Sequence, residues 1–341
     1  MPAEPGAIAL VKLSALGDVV HALPVADALA AALPRARLTW LVERREAALL
    51  RDHPALTEVI DVDTRAWRRA RTPRQALAVA QSLLALRRRL RAARYDVAID
   101  LQGLVKSGAV TLATGAPVRI GFAAGWSREW LSAAFTNRRV TPPPDARHVV
   151  DQYLALLGPL GVTSRPGAAR IRLPSRAAAE TRIDDFFVGA GLKPRRRLVV
   201  LNPGAGRAAK RWPVERFREL AARLCHDGDA QVLVLWGPSE RETARAIAEI
   251  PAPRPALAPA TDIDELVAVV RRASVMVAGD TGPLHLAAAV GTPCVGLYGP
   301  TSAERNGPYG AGHRAVSAAD GRMASITAAE VLAAVLEMLG R

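Results

Sequence analysis

The stretch from Gly279 to Thr301, G-D-T-G-P-L-H-L-A-A-A-V-G-T-P-C-V-G-L-Y-G-P-T, constrains the fold more than any other part of the chain. Ser274 to Ala278 is a short apolar run ahead of it and predicts a buried strand. The run breaks at Gly279-Asp280-Thr281-Gly282. Leu284, Leu286, Ala287, Ala288 and Val290 then predict a short helix with a close-packing face, and Gly291-Thr292-Pro293 stops it. Cys294 to Tyr298 predicts the next strand. Strand, polar turn, helix and strand make one parallel β-α-β unit. Open α/β sheets bind ligands beyond the carboxyl ends of their strands, where this turn lies. Amides at a helix N-terminus suit a phosphate, and Gly282 has no Cβ to hold a ligand away. An ordinary strand-to-helix connection with a capped helix would use the same residues. His285, one turn into the helix, favours a ligand site.

The same pattern runs through the chain. Ile8 to Leu13 predicts a first strand, Ser14 to Asp18 its exit turn, and the apolar spacing from Val19 to Leu33 a helix with Pro24 early in it. Asp18 stands at the strand mouth and at the helix start. It suits a general base there, but a helix N-cap is the favoured reading of the residues alone. Leu38–Val42 and Val59–Val62 predict the second and third strands, with a short helix between them ending near His53-Pro54. Thr64 to Arg71 reads as a basic turn around Trp67. Its Arg65, Arg68, Arg69 and Arg71 are an anion-binding candidate, whereas Arg87 to Arg91 reads as a solvated face of a helix over 76–93. Tyr95–Asp100 and Val118–Phe122 predict two more strands. Between them a helix carries Lys106 and Ser107. Gly125–Trp130 is a polar and aromatic loop, and a helix over 146–157 holds His148.

From Gly158 to Pro174 the chain turns rich in Gly, Pro and Arg, which places a linker there. We therefore expect one domain over 1–165 and a second over 175–325, with a last helix in 326–341. The second domain opens with a helix over 176–189 and a strand at Arg197–Leu201. A glycine-rich loop follows, N-P-G-A-G-R-A-A-K-R-W-P from Asn202, carrying Lys210. Gln231–Leu235 is a strand, and Glu242 lies just inside the helix after it. Thr327-Ala-Ala-Glu330 is a capping box for the last helix. Two parallel sheets suggest a nucleotide-type site in a cleft between them.

Composition trims the alternatives. The chain has 341 residues, two cysteines and a net charge of +14. Two distant cysteines in apolar settings fit neither a disulfide framework nor a zinc site, and they fit a reducing cytoplasm. No apolar run reaches the length of a membrane span, and no signal peptide is apparent. The positive charge suits an acidic partner. Nucleic acid is disfavoured, because helix-turn-helix, zinc and RNP signatures are missing and aromatics are few. A phosphorylated substrate or an anionic membrane surface fits better. Nearly all the basic residues are Arg, so compositional drift accounts for part of the excess. A Walker motif is missing, and no G-x-G-x-x-G follows the first strand, so P-loop ATPase and dehydrogenase readings lose weight.

Together the motifs V-K-L-S-A-L-G-D-V-V-H-A-L-P, I-D-L-Q-G-L-V-K-S, W-S-R-E from Trp126, A-K-R-W-P at 209–213, W-G-P-S-E-x-E at 236–242 and G-D-T-G-P-L-H-L-A-A-A resemble the heptosyltransferases of lipopolysaccharide core synthesis, glycosyltransferase family 9. The first three are most similar to the heptosyltransferase I branch. Ala15 departs from it, standing where many members have Ser. The resemblance covers the chain from Ile8 to about Gly340. It implies an α/β GT-B fold: two Rossmann-like, doubly wound domains facing across a cleft, with the C-terminal helix packing back on the first. It implies inverting transfer of L-glycero-D-manno-heptose from ADP-heptose to the inner Kdo of Kdo-lipid A, at the inner face of the cytoplasmic membrane of a Gram-negative bacterium and without a metal or other cofactor. Asp18 matches the family's general base and Lys210 the lysine beside the diphosphate. Glu242, Asp280, Thr281, Gly282 and His285 match the donor side. Arg65, Arg68, Arg69, Lys106, Arg128 and His148 fall on the acceptor side. Three alternatives stay open: a heptosyltransferase II or III acting on a heptosylated core, a GT-B nucleotide-sugar epimerase, and a basic binding protein.

Overall fold

The structure, a computed structural model, describes residues 4–69, 71–226 and 230–340, without the side chains of Arg65, Arg68 and Arg69. The chain divides into two compact units, Met1–Ala169 and Arg170–Arg341, and the division falls inside the Gly/Pro/Arg-rich stretch.

The first unit carries strands β1 (Ala7–Val11), β2 (Arg37–Glu43), β3 (Glu58–Val62), β4 (Val97–Asp100), β5 (Val118–Phe122) and β6 (Arg138–Val140). They form one parallel sheet in the order β3-β2-β1-β4-β5-β6. Its helices are α1 (Leu16–Ala32), α2 (Thr64–Arg69), α3 (Pro73–Ala92), α4 (Val105–Ala113) and α5 (Val149–Ala155). β1 and β2 are almost wholly buried, so their apolar residues run on without the alternation of a half-exposed strand.

The second unit repeats this plan. Its strands are β7 (Arg197–Asn202), β8 (Ala230–Val234), β9 (Ala256–Leu257), β10 (Val275–Gly279), β11 (Cys294–Tyr298) and β12 (Arg314–Ser317). All are parallel, in the order β12-β11-β10-β7-β8-β9. Its helices are α6 (Ala177–Gly189), α7 (Val214–His226), α8 (Arg241–Ala248), α9 (Ile263–Arg272), α10 (Gly282–Ala289), α11 (Ala303–Asn306) and α12 (Ala328–Met338). Each sheet therefore has the doubly wound order, in which the strand order reverses beside the first strand. The two switch points are β1/β4 and β7/β10.

Several expectations need correction. The basic stretch after β3 is helix α2 rather than a turn, because Asp63 Oδ1 accepts the Ala66 N–H at 2.8 Å and starts a helical turn. The 47–50 segment is a single 3-10 turn. Strands β6, β9 and β12 escaped the pattern. All three are short and lie at sheet edges, where the apolar signal is weaker. Helix α12 lies within the second unit, and its Val331, Leu332 and Val335, with the C-cap Leu339, are buried in that unit's core with Phe217, Leu220 and Leu297.

Candidate functional site

At the first switch point β1 ends at Val11. The next residue, Lys12, is fully buried. Its Nζ donates to Tyr153 Oη at 2.6 Å and to the Leu101 carbonyl at 3.1 Å, and lies 4.4 Å from the Tyr153 ring centroid. The Leu13 N–H donates to Gln102 Oε1 at 2.8 Å. These bonds staple the exit of β1 to the exit of β4. A buried ammonium needs such partners, since an uncompensated one would cost several kcal/mol.

Helix α1 starts at Leu16, earlier than the apolar spacing indicates. Asp18 is therefore the third residue of the helix and not its N-cap, which is Ala15. Asp18 Oδ2 accepts a long bond from the Ala15 N–H, 3.4 Å, and Oδ1 accepts from Arg128 Nη2 at 3.0 Å. The positive end of the helix dipole favours a carboxylate here. The Arg128 side chain is 43% exposed and that of Asp18 20%.

Arg128 is delivered by a locked loop. The Glu129 N–H donates to the Gly103 carbonyl at 2.9 Å, and Glu129 Oε2 accepts the Val105 N–H at 2.6 Å. Gly103 has φ +68°, and a Cβ there would stand 3.3 Å from the Arg128 nitrogen. Any other residue would push this loop away. Asp100, beneath it, is buried and accepts from the Gln102 and Gly103 amides and from Ser107 Oγ. Burial is the largest influence on its carboxyl and leaves it above the ordinary carboxylate range despite those donors.

Lys106 and His148 lie on the same rim with work already assigned. Lys106 Nζ is 3.5 Å from Glu43 Oε1 and 3.5 Å from Thr64 Oγ1, and the Thr64 hydroxyl donates to that same Glu43 oxygen. His148 is the N-cap of α5 rather than an interior residue: its Nδ1 accepts the Val150 N–H at 3.1 Å. The His148 ring meets His21 edge-on at 5.2 Å. His21 and Lys12 are rim residues that sequence reasoning missed. His21 had a readable signal, standing three residues after Asp18 on one helix face. The side chains of Arg65, Arg68 and Arg69 lie outside the described residues. Trp67 between them packs against the sheet core.

At the second switch point the groups are tighter. Lys210 Nζ donates to Asp280 Oδ2 at 2.6 Å, and His285 Nε2 lies 3.0 Å from Asp280 Oδ1. Burial alone would raise the Asp280 carboxyl. The hydrogen bonds and charges of His285 and Lys210 outweigh it and hold the group far below the usual range. Asp280 is thus held as a carboxylate between Lys210 and His285. Thr281 is the N-cap of α10, but its hydroxyl turns back, donating to the Gly279 carbonyl and accepting from Asn202 Nδ2 at 3.3 Å. No side chain caps α10, and Pro283 has no N–H, so the amides at Thr281 and Gly282 front the helix start.

Two packing contacts fix Lys210. Trp212 is buried edge-on against Phe217, and its Nε1 donates to the Ile326 carbonyl at 2.9 Å. A Cβ on Gly279 would meet the Lys210 carbonyl oxygen at 2.9 Å, so only glycine allows the two loops this close. Glu242 is exposed in the first turn of α8. Its neighbour Glu240 is the acidic residue that lies on the glycine loop: its carboxylate fills the space where a Gly204 Cβ would stand, and it accepts the Gly237 N–H at 2.9 Å.

One rim can accept a proton beside cations, and the other presents an ammonium and helix amides to an anion. Among the described residues no three His, Cys, Asp or Glu side chains gather to hold a metal. The Cys225 thiol is pushed up to about 11 by burial, and burial raises that of Cys294 further, so neither supplies a thiolate nucleophile at neutral pH.

The profile of glycosyltransferase family 9 (heptosyltransferase) matches residues 83–335, nearly three quarters of the chain, from within α3 through strands β4 to β6 and the whole second sheet. This chain belongs to glycosyltransferase family 9. It is a glycosyltransferase, and its fold is the GT-B pairing of two Rossmann-like units. It is 33% identical over 306 residues to lipopolysaccharide heptosyltransferase 1 of Pseudomonas aeruginosa, covering 89% of this chain and 81% of that protein. It is 32% identical to lipopolysaccharide heptosyltransferase 1 of Escherichia coli K12 over 304 residues, 89% of this chain and 91% of that one. The solved structure of E. coli heptosyltransferase WaaC with ADP superposes with a TM-score of 0.79 at 29% identity, covering 97% of this chain and 99% of that chain.

Proposed function

We propose that this enzyme moves L-glycero-D-manno-heptose from ADP-heptose to the inner Kdo of Kdo-lipid A, with inversion at the anomeric carbon. The reading is carried by the two switch points: one holds a carboxylate beside a cation, the other a lysine and open helix amides. The resemblance to lipopolysaccharide heptosyltransferase 1 along 89% of the chain supports the sugar and the first branch.

In this mechanism a hydroxyl oxygen of the acceptor attacks C1 of the heptose. Asp18 takes its proton. The bond from C1 to the ADP oxygen breaks, and ADP leaves with the electron pair. The charge that develops on ADP falls to Lys210 and to the Thr281 and Gly282 amides, groups fixed before reaction starts. Asp280 contributes by holding Lys210 and His285 in place, and Glu242 serves the ribose hydroxyls. Arg65, Arg68, Arg69, Lys106, Arg128 and His148 receive the carboxylates and phosphates of the acceptor. Lysine and helix amides do what a metal does elsewhere, so no cofactor is required. The acceptor lies in a membrane, which puts the enzyme on the cytoplasmic face of the inner membrane. No helix among the described residues is long and apolar enough to span one.

The test is an acceptor panel with ADP-heptose as donor and mass spectrometry of the products. De-acylated Kdo-lipid A gaining one heptose supports the first branch. A gain seen only on an already heptosylated core moves the enzyme to a later branch. Consumption of ADP-heptose without any acceptor contradicts transfer altogether.

A further inference from the structure

Large apolar side chains are exposed almost entirely on one side of the first unit. Among the described residues, all such side chains except Val188 fall between residues 77 and 131. They sit on three neighbouring segments. Helix α3 packs against α4, and α4 packs along the 130–135 turn, where Gly108 lies on the Phe135 ring. Leu86 and Leu90 of α3 and Val110 and Ala113 of α4 belong to one core cluster, so both helices cover the same face of the sheet.

Helix α3 is unusual for a helix in a folded core. Leu90 is its only buried residue, and from 71 to 85 only Val79 is even partly covered. Leu86, Leu90 and Ala93, at helical spacing, anchor its last turns. Leu77 (60% exposed) and Leu84 (53% exposed) are seven residues apart and point the other way. Arg88 continues their stripe, four residues on from Leu84. Arg71, Arg74, Arg87 and Arg88 make no ion pair among the described residues, whereas Arg89 is paired with Glu58. On the adjoining segments Val105 and Leu112 face solvent from α4, and Trp126, Trp130 (69% exposed) and Leu131 flank Arg128 in the 126–131 loop.

We propose that this face, α3 with α4 and the 126–131 loop, is a docking surface for an anionic lipid bilayer. Charge complementarity selects that occupant. Leucines and tryptophans beside unpaired arginines match the boundary between acyl chains and anionic headgroups, where Trp and Arg are the favoured residues. A protein partner of this chemistry would bring carboxylates to pair with the arginines. A second copy of the same face would set Arg87 and Arg88 against their like. The loop that carries the exposed tryptophans also carries Arg128, which pairs with Asp18, so docking would bring the first switch point to the membrane surface. The proposal deepens the function given above in naming where the lipid-borne acceptor is met. The docking itself is independent of which sugar is transferred.

The test measures vesicle binding by flotation, using phosphatidylglycerol–phosphatidylcholine vesicles against phosphatidylcholine alone. The full chain should float with the anionic vesicles, and raising the salt should weaken this. The triple variant Leu77→Glu, Leu84→Glu, Trp130→Glu should lose at least about tenfold in partitioning, with transfer to a de-acylated, water-soluble acceptor unchanged. The double variant Arg87→Glu, Arg88→Glu replaces only exposed charges, so it decides the matter if the triple variant fails to fold. It should lose the preference for anionic vesicles. Failure of the parent to float, or flotation of the Arg variant equal to the parent's, overturns the proposal. So does a dimer in sedimentation that the triple variant dissolves, which would assign the face to a second copy. Absence of transfer to every acceptor would sink the proposed function and leave the vesicle result standing.

Discussion

The two switch points share a topology and differ in how their charges are held. In the second unit the Asp280 side chain is 11% exposed, and both its oxygens are engaged, by Lys210 and by His285. In the first unit Asp18 has Arg128 across from it, on a side chain nearly half in water. A buried, doubly held ion pair is stiff. An exposed pair contributes only about 0–1 kcal/mol and exchanges readily. The comparison teaches a division of labour. On the proposed mechanism, the second unit presents a preformed site for the charge that develops on the leaving group, and the first keeps a carboxylate under a cation that an incoming anionic acceptor draws away.

The most severe way to break this comparison is to remove the carboxylate of the first unit. Asp18→Ala should slow transfer on the order of 10²–10⁴-fold, the usual share of a general base, with ADP-heptose affinity nearly unchanged. Transfer at the parental rate would end its assignment as base. Lys210→Ala should slow transfer roughly 10²-fold and weaken ADP-heptose binding as well, because the lost charge serves ground state and transition state alike. Unchanged affinity and rate, by calorimetry and turnover, would remove the lysine from the leaving group.

Stability sharpens the contrast further. Asp280→Asn leaves Lys210 without its ionic partner in a mostly buried place and should destabilise the second unit by about 2–3 kcal/mol, read from denaturant unfolding. Its pH dependence has a definite sign. The folded-state carboxyl is held far below its unfolded value of about 3.9, so its contribution is present above roughly pH 4 and fades as pH falls through the folded value. The parent should lose stability more steeply than Asp280→Asn in that acid range. Parallel curves would mean that the pair contributes nothing. The smallest effect belongs to the exposed partner. Arg128→Ala should raise the KM for acceptor about tenfold, with kcat and protein stability little changed. A large loss of stability instead would show that Arg128 is a structural tie.

Much of this was readable before any coordinates. The parallel β-α-β units, the strand exits and the placing of Asp18, Lys210, Asp280 and His285 at those exits follow from apolar runs broken by Gly-Asp or Asn-Pro-Gly. Such punctuation is local, and local signals survive in sequence. What stayed hidden depends on contacts between distant segments. Lys12 sits inside an apolar run, and nothing near it announces Tyr153 as its partner. Trp212 fixes the Lys210 loop through Ile326, more than a hundred residues away. Glu240 and Glu242 look alike in sequence, and only the fold shows which lies on the glycine loop. The arginines of α3 read as an ordinary solvated face. The leucines beside them became informative once the fold showed that no core covers them.

The central claim is that a carboxylate in one unit and a lysine with helix amides in the other drive transfer to a Kdo-bearing acceptor without a metal. ADP release from ADP-heptose tests it most directly, measured in EDTA with and without de-acylated Kdo-lipid A. The account predicts release that requires the acceptor and is unaffected by the chelator. Release with donor alone, or release abolished by EDTA and restored by a divalent cation, would contradict it.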